Sequence, residues 1–120
     1  MLLTGRVSEA APEACYRHAA TFLFPSLTEG FGYPPLEAMQ RGILMVAANA
    51  GPLPEVLEDT ARYHDPHDSA ALVREAEAVL DDERLRQERI RRGRRQAAQS
   101  TWARAAAEIA RLLDGIANRA

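Results

Sequence analysis

The stretch from Phe22 to Gly42, FLFPSLTEGFGYPPLEAMQRG, constrains the fold of this chain more than any other. Its first three residues are apolar and Pro25 ends the run, which predicts a short strand. Gly30 and Gly32 follow, and we expect a turn in which positive φ angles cost little. The two prolines after the turn suit the start of a helix, because a first-turn proline needs no N–H donor, and Gly42 suits its left-handed C-terminal cap. The stretch therefore predicts a strand–turn–helix unit.

Strands and helices are predicted to alternate through the first half of the chain. Apolar runs and helical spacing predict strands at residues 1–4, 21–24, 43–48 and 61–64, and helices at about 9–19, 34–41 and 54–57. Ser8 is a candidate cap for the first of these helices. This alternation is typical of right-handed βαβ units in an open, doubly wound parallel sheet of the Rossmann-like α/β class.

Ligands of such sheets lie at the carboxyl ends of the strands. The loops at Val7, at residues 29–32 and at residues 49–52 are predicted to converge at that edge. From Ser69 onward the apolar spacing predicts C-terminal helices only, with Asp68 or Ser69 as a cap, a second helix from about Glu83 to Gln99 and a third over residues 102–116.

Two glutamates, Glu29 and Glu37, border the predicted glycine turn with seven residues between them. Because the turn reverses the chain, both carboxylates can border the crevice that contains the helix N-terminus, with Glu37 in the first helical turn. A helix N-terminus favours a phosphate, whereas the carboxylates would accept hydrogen bonds from neutral hydroxyls. A ligand that carries both groups is a sugar nucleotide. On spacing alone, a helix-entry glutamate beside a solvated loop glutamate is an equally good interpretation.

The run PSLTEGFGYPPLEAMQRG resembles the donor-site signature of the family-4 (group 1) glycosyltransferases of the GT-B fold. The segments MVAANAGPLPEVLED and ARYHDPHDSAALVREAEAVLDD continue the resemblance in the same order. The resemblance implies that Glu29, the catalytic residue, lies beside the transferred sugar and that Glu37 takes the ribose hydroxyls. The other donor-binding residues that it implies are Val7, Gly30, Phe31, Gly32 and Leu36.

The resemblance also implies the extent and the activity of the chain. Residues 1–120 would be the C-terminal part of a GT-B donor domain, and the N-terminal acceptor domain would be absent. The activity would be retaining transfer of a sugar from a nucleoside-diphosphate-sugar donor to an acceptor hydroxyl, with no cofactor and no metal. We expect the missing half or a second copy as a partner, and peripheral membrane contact only through the absent domain. The alternative is a non-catalytic remnant or interaction module with the same fold.

Composition limits the other classes of function. A chain of 120 residues is one domain at most, and its net charge of −2 gives no general attraction to nucleic acid. Cys15 is the single cysteine, so no intrachain disulfide is possible. With no signal peptide and no apolar run of membrane-spanning length, the sequence predicts a cytoplasmic protein.

Two clusters of polar side chains could indicate other functions, namely metal binding and nucleic-acid binding. Residues 64–68, HDPHD, have metal-ligand side chains but not the paired spacing of a zinc site, so we interpret them as a strand-to-helix junction. Seven arginines lie between Arg84 and Arg95. Because acidic and apolar residues alternate with them and no aromatic residue accompanies them, a solvated amphipathic helix is favoured over a nucleic-acid patch.

Overall fold

The structure is a computed structural model that describes residues 3–8 and 10–118. Its strands are β1 (Phe22–Phe24), β2 (Met45–Ala48) and β3 (Arg62–His64). Its α-helices are α1 (Ala11–His18), α2 (Tyr33–Arg41), α3 (Leu53–Leu57), α4 (Ser69–Asp81), α5 (Glu83–Gln99) and α6 (Trp102–Ala117), and a 3-10 turn covers Glu58–Thr60. The predicted alternation of strands and helices, followed by C-terminal helices, is confirmed.

The sheet is parallel and places two of the predicted loops at one edge. Its strand order is β1-β2-β3, with Phe24 opposite Ala47 and Ala48 opposite His64. Parallel strands share their carboxyl edge. The loop at residues 25–32 and the loop at residues 49–52 therefore leave the sheet on the same side, as predicted.

Helices cover both faces of β2. Successive side chains of a strand point to opposite faces of the sheet, so neighbouring residues of β2 pack against different helices. Met45 and Ala47 belong to one apolar cluster, which contains buried residues of α2 and α3. Leu44, just before the strand, and Val46 belong to a second cluster, which contains Val79 of α4. The sequence of a strand that is buried on both faces is a nearly continuous apolar run, as it is in β2. The α/β class with helices on both faces of a parallel sheet is confirmed.

Glycines bound α2 at both ends. Gly32 is the N-cap with a φ of +87°, and Gly42 is the C-cap with a φ of +74°. The Gly42 N–H donates to the Met39 carbonyl over 3.0 Å, so the predicted left-handed cap is confirmed. Gly30 does not have a positive φ. Within this turn only Gly32 takes the left-handed conformation, at the position where the chain turns into the helix.

Two predictions near the N-terminus fail in the described residues. Leu3 and Thr4 are not in a strand, and the rest of the predicted 1–4 strand lies outside the described residues. A ladder needs a paired neighbour, and β1 pairs only with β2 in the described part of the chain. Ser8 is not the cap of α1; the N-cap is Ala10, and the Ser8 carbonyl accepts from the Ala11 N–H over 3.1 Å.

Candidate active site

The glycine turn lies between β1 and α2 and packs against the neighbouring loop through Gly32. A Cβ added to Gly32 would lie 3.3 Å from Cδ2 of Leu53, the first residue of α3. Gly30 differs, because it is exposed and a Cβ there would meet nothing within 4 Å. The fold therefore requires glycine at position 32 but not at position 30. Open space beside Gly30 is what the close approach of a ligand to the backbone needs.

The turn supplies backbone N–H donors. Pro34 and Pro35 have none, and the Leu36 N–H already donates to the Gly32 carbonyl over 3.3 Å. The N–H groups of residues 30–33 donate to no protein group among the described residues. They are therefore the donors that are available to an anion. The loop at residues 25–32 contains no basic side chain. Any phosphate bound here would be met by these N–H groups and the dipole of α2.

Glu29 is half-buried and held within its own loop. Its Oε1 accepts a hydrogen bond from the Ser26 hydroxyl over 2.7 Å. Its Oε2 accepts none from the described residues, which leaves it free to accept a hydrogen bond from a ligand hydroxyl. Ser26 lies three residues before Glu29, so this contact could have been predicted from the sequence, but we did not predict it.

Glu37 is exposed and lies in the second turn of α2, not in the first as predicted. The helix begins at Tyr33, ahead of both prolines, so Glu37 is its fifth residue. Its Oε2 accepts a hydrogen bond from the Tyr16 hydroxyl of α1 over 3.2 Å. Burial, together with the Glu37 carboxylate, raises the pKa of Tyr16 above its usual value. The Glu37 Oε1 accepts no hydrogen bond from the described residues.

Arg41 fixes α1 against α2 next to this carboxylate. Its Nη2 donates to Oε2 of Glu13 over 2.7 Å, and its guanidinium carbon lies 4.7 Å from the centroid of the Tyr16 ring. The hydrogen bond from Arg41 lowers the pKa of Glu13. The Arg41 Nη1 also donates to the Glu37 carbonyl over 3.1 Å. No local sequence signal connects these residues, because the contacts depend on how two helices pack.

The other predicted site residues have different surroundings. Leu36 is buried in the apolar core, so its side chain faces the protein interior. Phe31 is 47% exposed, beside Gly30 and Gly32. Val7 is exposed in the loop before α1. The turn thus brings Glu29 and residues 30–32 together in one loop, and Val7 lies in a separate one.

The HDPHD segment is a strand-to-helix junction. Asp68 caps α4 by accepting from the Ala71 N–H over 2.9 Å, and Asp65 accepts from the His67 N–H over 2.8 Å. His64 is buried, with Nδ1 2.8 Å from the Asp65 carbonyl oxygen. Within residues 3–8 and 10–118, no group of three or more His, Cys, Asp or Glu side chains could hold a metal ion. Across the same residues, no helix is long and apolar enough to cross a membrane.

Comparison with solved structures identifies the class of the fold. Sucrose-phosphate synthase from Thermosynechococcus elongatus superposes with a TM-score of 0.78 over 98% of this chain and 30% of that one. The sequence identity is 24%, so the likeness concerns the fold alone. The chain thus shares the α/β fold of the matched part of that enzyme.

Sequence comparison identifies the family. The model of the family Glycosyl transferases group 1 matches residues 1–96, and the chain belongs to this family. Serotype-specific mannosyltransferase WbdA of Escherichia coli is 37% identical over 88% of the chain, and O-antigen chain mannosyltransferase B of the same species is 41% identical over 72%. The chain spans 13% of the first relative and 23% of the second. The predicted membership of the group 1 glycosyltransferase family is confirmed.

Proposed function

We propose that this chain forms part of the donor site of a retaining glycosyltransferase, which moves a sugar from a nucleoside diphosphate to an acceptor hydroxyl. One observation carries the proposal: among the described residues, the N–H groups of residues 30–33 donate to no protein group, and Glu29 and Glu37, which flank them in the sequence, each keep one carboxylate oxygen without a hydrogen bond. These groups match the diphosphate and the hydroxyls of a sugar nucleotide.

In the proposed reaction the protein binds, orients and stabilises charge. The backbone N–H groups and the N-terminus of α2 stabilise the negative charge that grows on the departing diphosphate. Glu37 accepts hydrogen bonds from the ribose hydroxyls, and Tyr16 holds it in place. Glu29, anchored by Ser26, positions the transferred sugar and balances the positive charge that develops on it. Glu29 is not assigned the role of a nucleophile.

We propose mannose as the transferred sugar. The support is the names of the relatives, which include the two Escherichia coli mannosyltransferases and the MMP alpha-(1->4)-mannosyltransferase of Mycolicibacterium hassiacum, 35% identical over 85% of this chain. We place the reaction in the cytoplasm, in keeping with the free thiol of Cys15.

Self-association or docking with another part of a longer protein is a further element of the proposal. β1 lies at an edge of the sheet formed by the described residues, and Leu23 on it is 45% exposed. Unpaired edges and exposed apolar side chains promote association. Light scattering should report a species larger than the monomer; a monodisperse monomer contradicts this element.

Calorimetry with UDP, GDP and ADP tests the binding proposal. One of the three should bind saturably, and Glu37→Ala should weaken that binding. Glu77→Ala is the matched control, since Glu77 is an exposed glutamate on α4, away from the turn. Binding that is equally weak in both variants contradicts the assigned role of Glu37. A chain that binds the nucleotide but transfers no sugar, even within the longer protein, supports the alternative of a non-catalytic module.

A further inference from the structure

Side chains from two helices converge beside the Glu37 carboxylate. From α1, the Tyr16 hydroxyl donates to the Glu37 Oε2 over 3.2 Å. From α2, Arg41 places its guanidinium carbon 4.7 Å from the centroid of the Tyr16 ring. The Nε and Nη2 of Arg41 both donate to Oε2 of Glu13, over 2.9 and 2.7 Å. Glu13 and Tyr16 of α1 thus hold the guanidinium of Arg41, which lies one helical turn after Glu37 in α2.

The position of the Tyr16 ring does not depend on Glu37. The ring is half-buried and packs against the apolar cluster that contains buried residues of α2 and α3, with its centroid 5.8 Å from that of Phe22 on β1. Arg41 lies over the ring, where the π electrons attract a cation. Burial and the neighbouring Glu37 carboxylate raise the pKa of Tyr16, so its hydroxyl keeps its proton at neutral pH and remains a donor. Tyr16 therefore offers Glu37 a fixed hydrogen-bond donor.

The hydrogen bond from Tyr16 restricts a side chain that would otherwise move freely. Glu37 is exposed, and among the described residues its carboxylate accepts from Tyr16 alone. An exposed glutamate populates several rotamers and loses this freedom when a ligand binds to it. Because Tyr16 already holds one oxygen, the other is presented in a restricted orientation, and ligand binding carries less of the ordering cost. The benefit reaches only a ligand that hydrogen-bonds to Glu37.

We propose that Tyr16 and Arg41 are positioning residues that make the donor site selective for ribose over deoxyribose. This inference rests on the proposed function, because it needs Glu37 to accept hydrogen bonds from the ribose hydroxyls. Tyr16 orients the Glu37 carboxylate, and Arg41 orients Tyr16 through the face of its ring. Neither residue touches the ligand. A nucleotide without the ribose hydroxyls makes no hydrogen bond to Glu37, so it gains nothing from this arrangement.

Calorimetry with a nucleoside diphosphate and with its 2′,3′-dideoxy analogue tests the inference. The nucleoside diphosphate is whichever of UDP, GDP and ADP the chain binds. Tyr16→Phe removes the hydroxyl but keeps the ring, and it should raise the dissociation constant of the ribose form about three- to tenfold, the factor expected for ordering one flexible side chain. The dissociation constant of the dideoxy form should not change. Arg41→Lys keeps the charge but loses the planar guanidinium, and it should show the same selective effect at a smaller magnitude.

Two matched controls change residues of the same types. Tyr63→Phe also removes a tyrosine hydroxyl that donates to the protein, here to the Glu58 carbonyl over 2.6 Å, but it lies on β3, at the other edge of the described sheet from β1. Arg17→Lys changes an arginine of α1 that also pairs with Glu13, over 3.8 Å. Neither Tyr63 nor Arg17 hydrogen-bonds to Glu37 in the structure, so neither control should change the selectivity. Circular dichroism checks that all four variants fold.

The contrary results separate this inference from the proposed function. If the chain binds none of the three nucleoside diphosphates, both fail. If Glu37→Ala weakens nucleotide binding but Tyr16→Phe changes both forms equally or neither, Tyr16 does not position Glu37 and the proposed function stands. Wild-type selectivity in Arg41→Lys would overturn the role of Arg41.

A double variant shows whether Tyr16 acts through Glu37. Tyr16→Phe combined with Glu37→Ala should bind the nucleoside diphosphate no more weakly than Glu37→Ala alone, because the two residues act through one contact. A further loss of affinity in the double variant would show that Tyr16 binds the ligand itself, which would overturn its positioning role.

Discussion

Alanine at Gly30 and at Gly32 should affect different properties of the chain. Gly32 has a φ of +87°, and its added Cβ would lie 3.3 Å from Leu53. A left-handed conformation costs a residue with a Cβ about 1–2 kcal/mol, and the close contact adds to this. We therefore expect Gly32→Ala to lower the free energy of unfolding by about 1–3 kcal/mol. Gly30 has no positive φ and open space around it, so Gly30→Ala should raise the free energy of unfolding by up to about 1 kcal/mol or leave it unchanged.

Binding should show the complementary effect at Gly30. Its added methyl would occupy the space in which the diphosphate is proposed to lie, and we expect affinity for the nucleoside diphosphate to fall about tenfold, or about 1.4 kcal/mol. Urea unfolding followed by circular dichroism gives the first quantity and calorimetry the second. A Gly30→Ala variant as unstable as Gly32→Ala would refute the structural reasoning. A stable Gly30→Ala variant with wild-type affinity would refute the proposed placement of the phosphates.

Three further predictions concern the rest of the chain. Met39 is 2% exposed in the core, so Met39→Ala should lower the free energy of unfolding by about 2–5 kcal/mol in a denaturant melt, whereas Gln40→Ala on the exposed side of α2 should change it little. Burial raises the pKa of Tyr63 to about 12, so the contribution of Tyr63 to the free energy of unfolding is present below pH 10 and is lost as the pH rises from about 10 to 12. A tyrosinate absorbance titration measures this pKa, and comparison with Tyr63→Phe identifies the signal of Tyr63. A pKa of Tyr63 at the usual value of about 10 contradicts the prediction. Replacing His64 and His67 by Gln should leave nucleotide affinity unchanged, and a stoichiometric metal lost in that variant by elemental analysis would show that the junction binds metal after all.

Local sequence signals predict most of the helices and strands but not the contacts between them. Gly42 lies at the C-terminus of α2, where a left-handed cap is needed. The bounds of α5 are as predicted, because Asp82 caps its first turn by accepting a hydrogen bond from the Leu85 N–H over 2.9 Å. The contact of Tyr16 with Glu37 spans 21 residues and depends on the packing of two helices. Its geometry is decided by the whole core, so no short pattern could reveal it.

The sequence does not predict the contact between Tyr33 and Trp102, for a similar reason. The apolar spacing predicts a terminal helix over residues 102–116, and in the structure Trp102 at its start is 78% exposed and lies against Tyr33. Residues of α5 pack along α2, with Gly93 against Met39, and this packing brings the start of α6 to the start of α2. Periodicity predicts which face of a helix is apolar but not which element that face will meet.

Calorimetry on Glu29→Ala and Glu37→Ala, with the nucleoside diphosphate and with its mannose derivative, tests the proposed donor site most directly. Glu37→Ala should weaken both ligands about ten- to a hundredfold, because both contain the ribose and hydrogen bonds to a charged group are worth roughly 1.5–3 kcal/mol. Glu29→Ala should leave the affinity for the bare nucleoside diphosphate within about twofold of wild type and weaken only the sugar derivative, since its proposed partner is the sugar. Equal loss of nucleoside diphosphate binding in the two variants would contradict the division of roles, and unchanged binding of both ligands would remove both glutamates from the site.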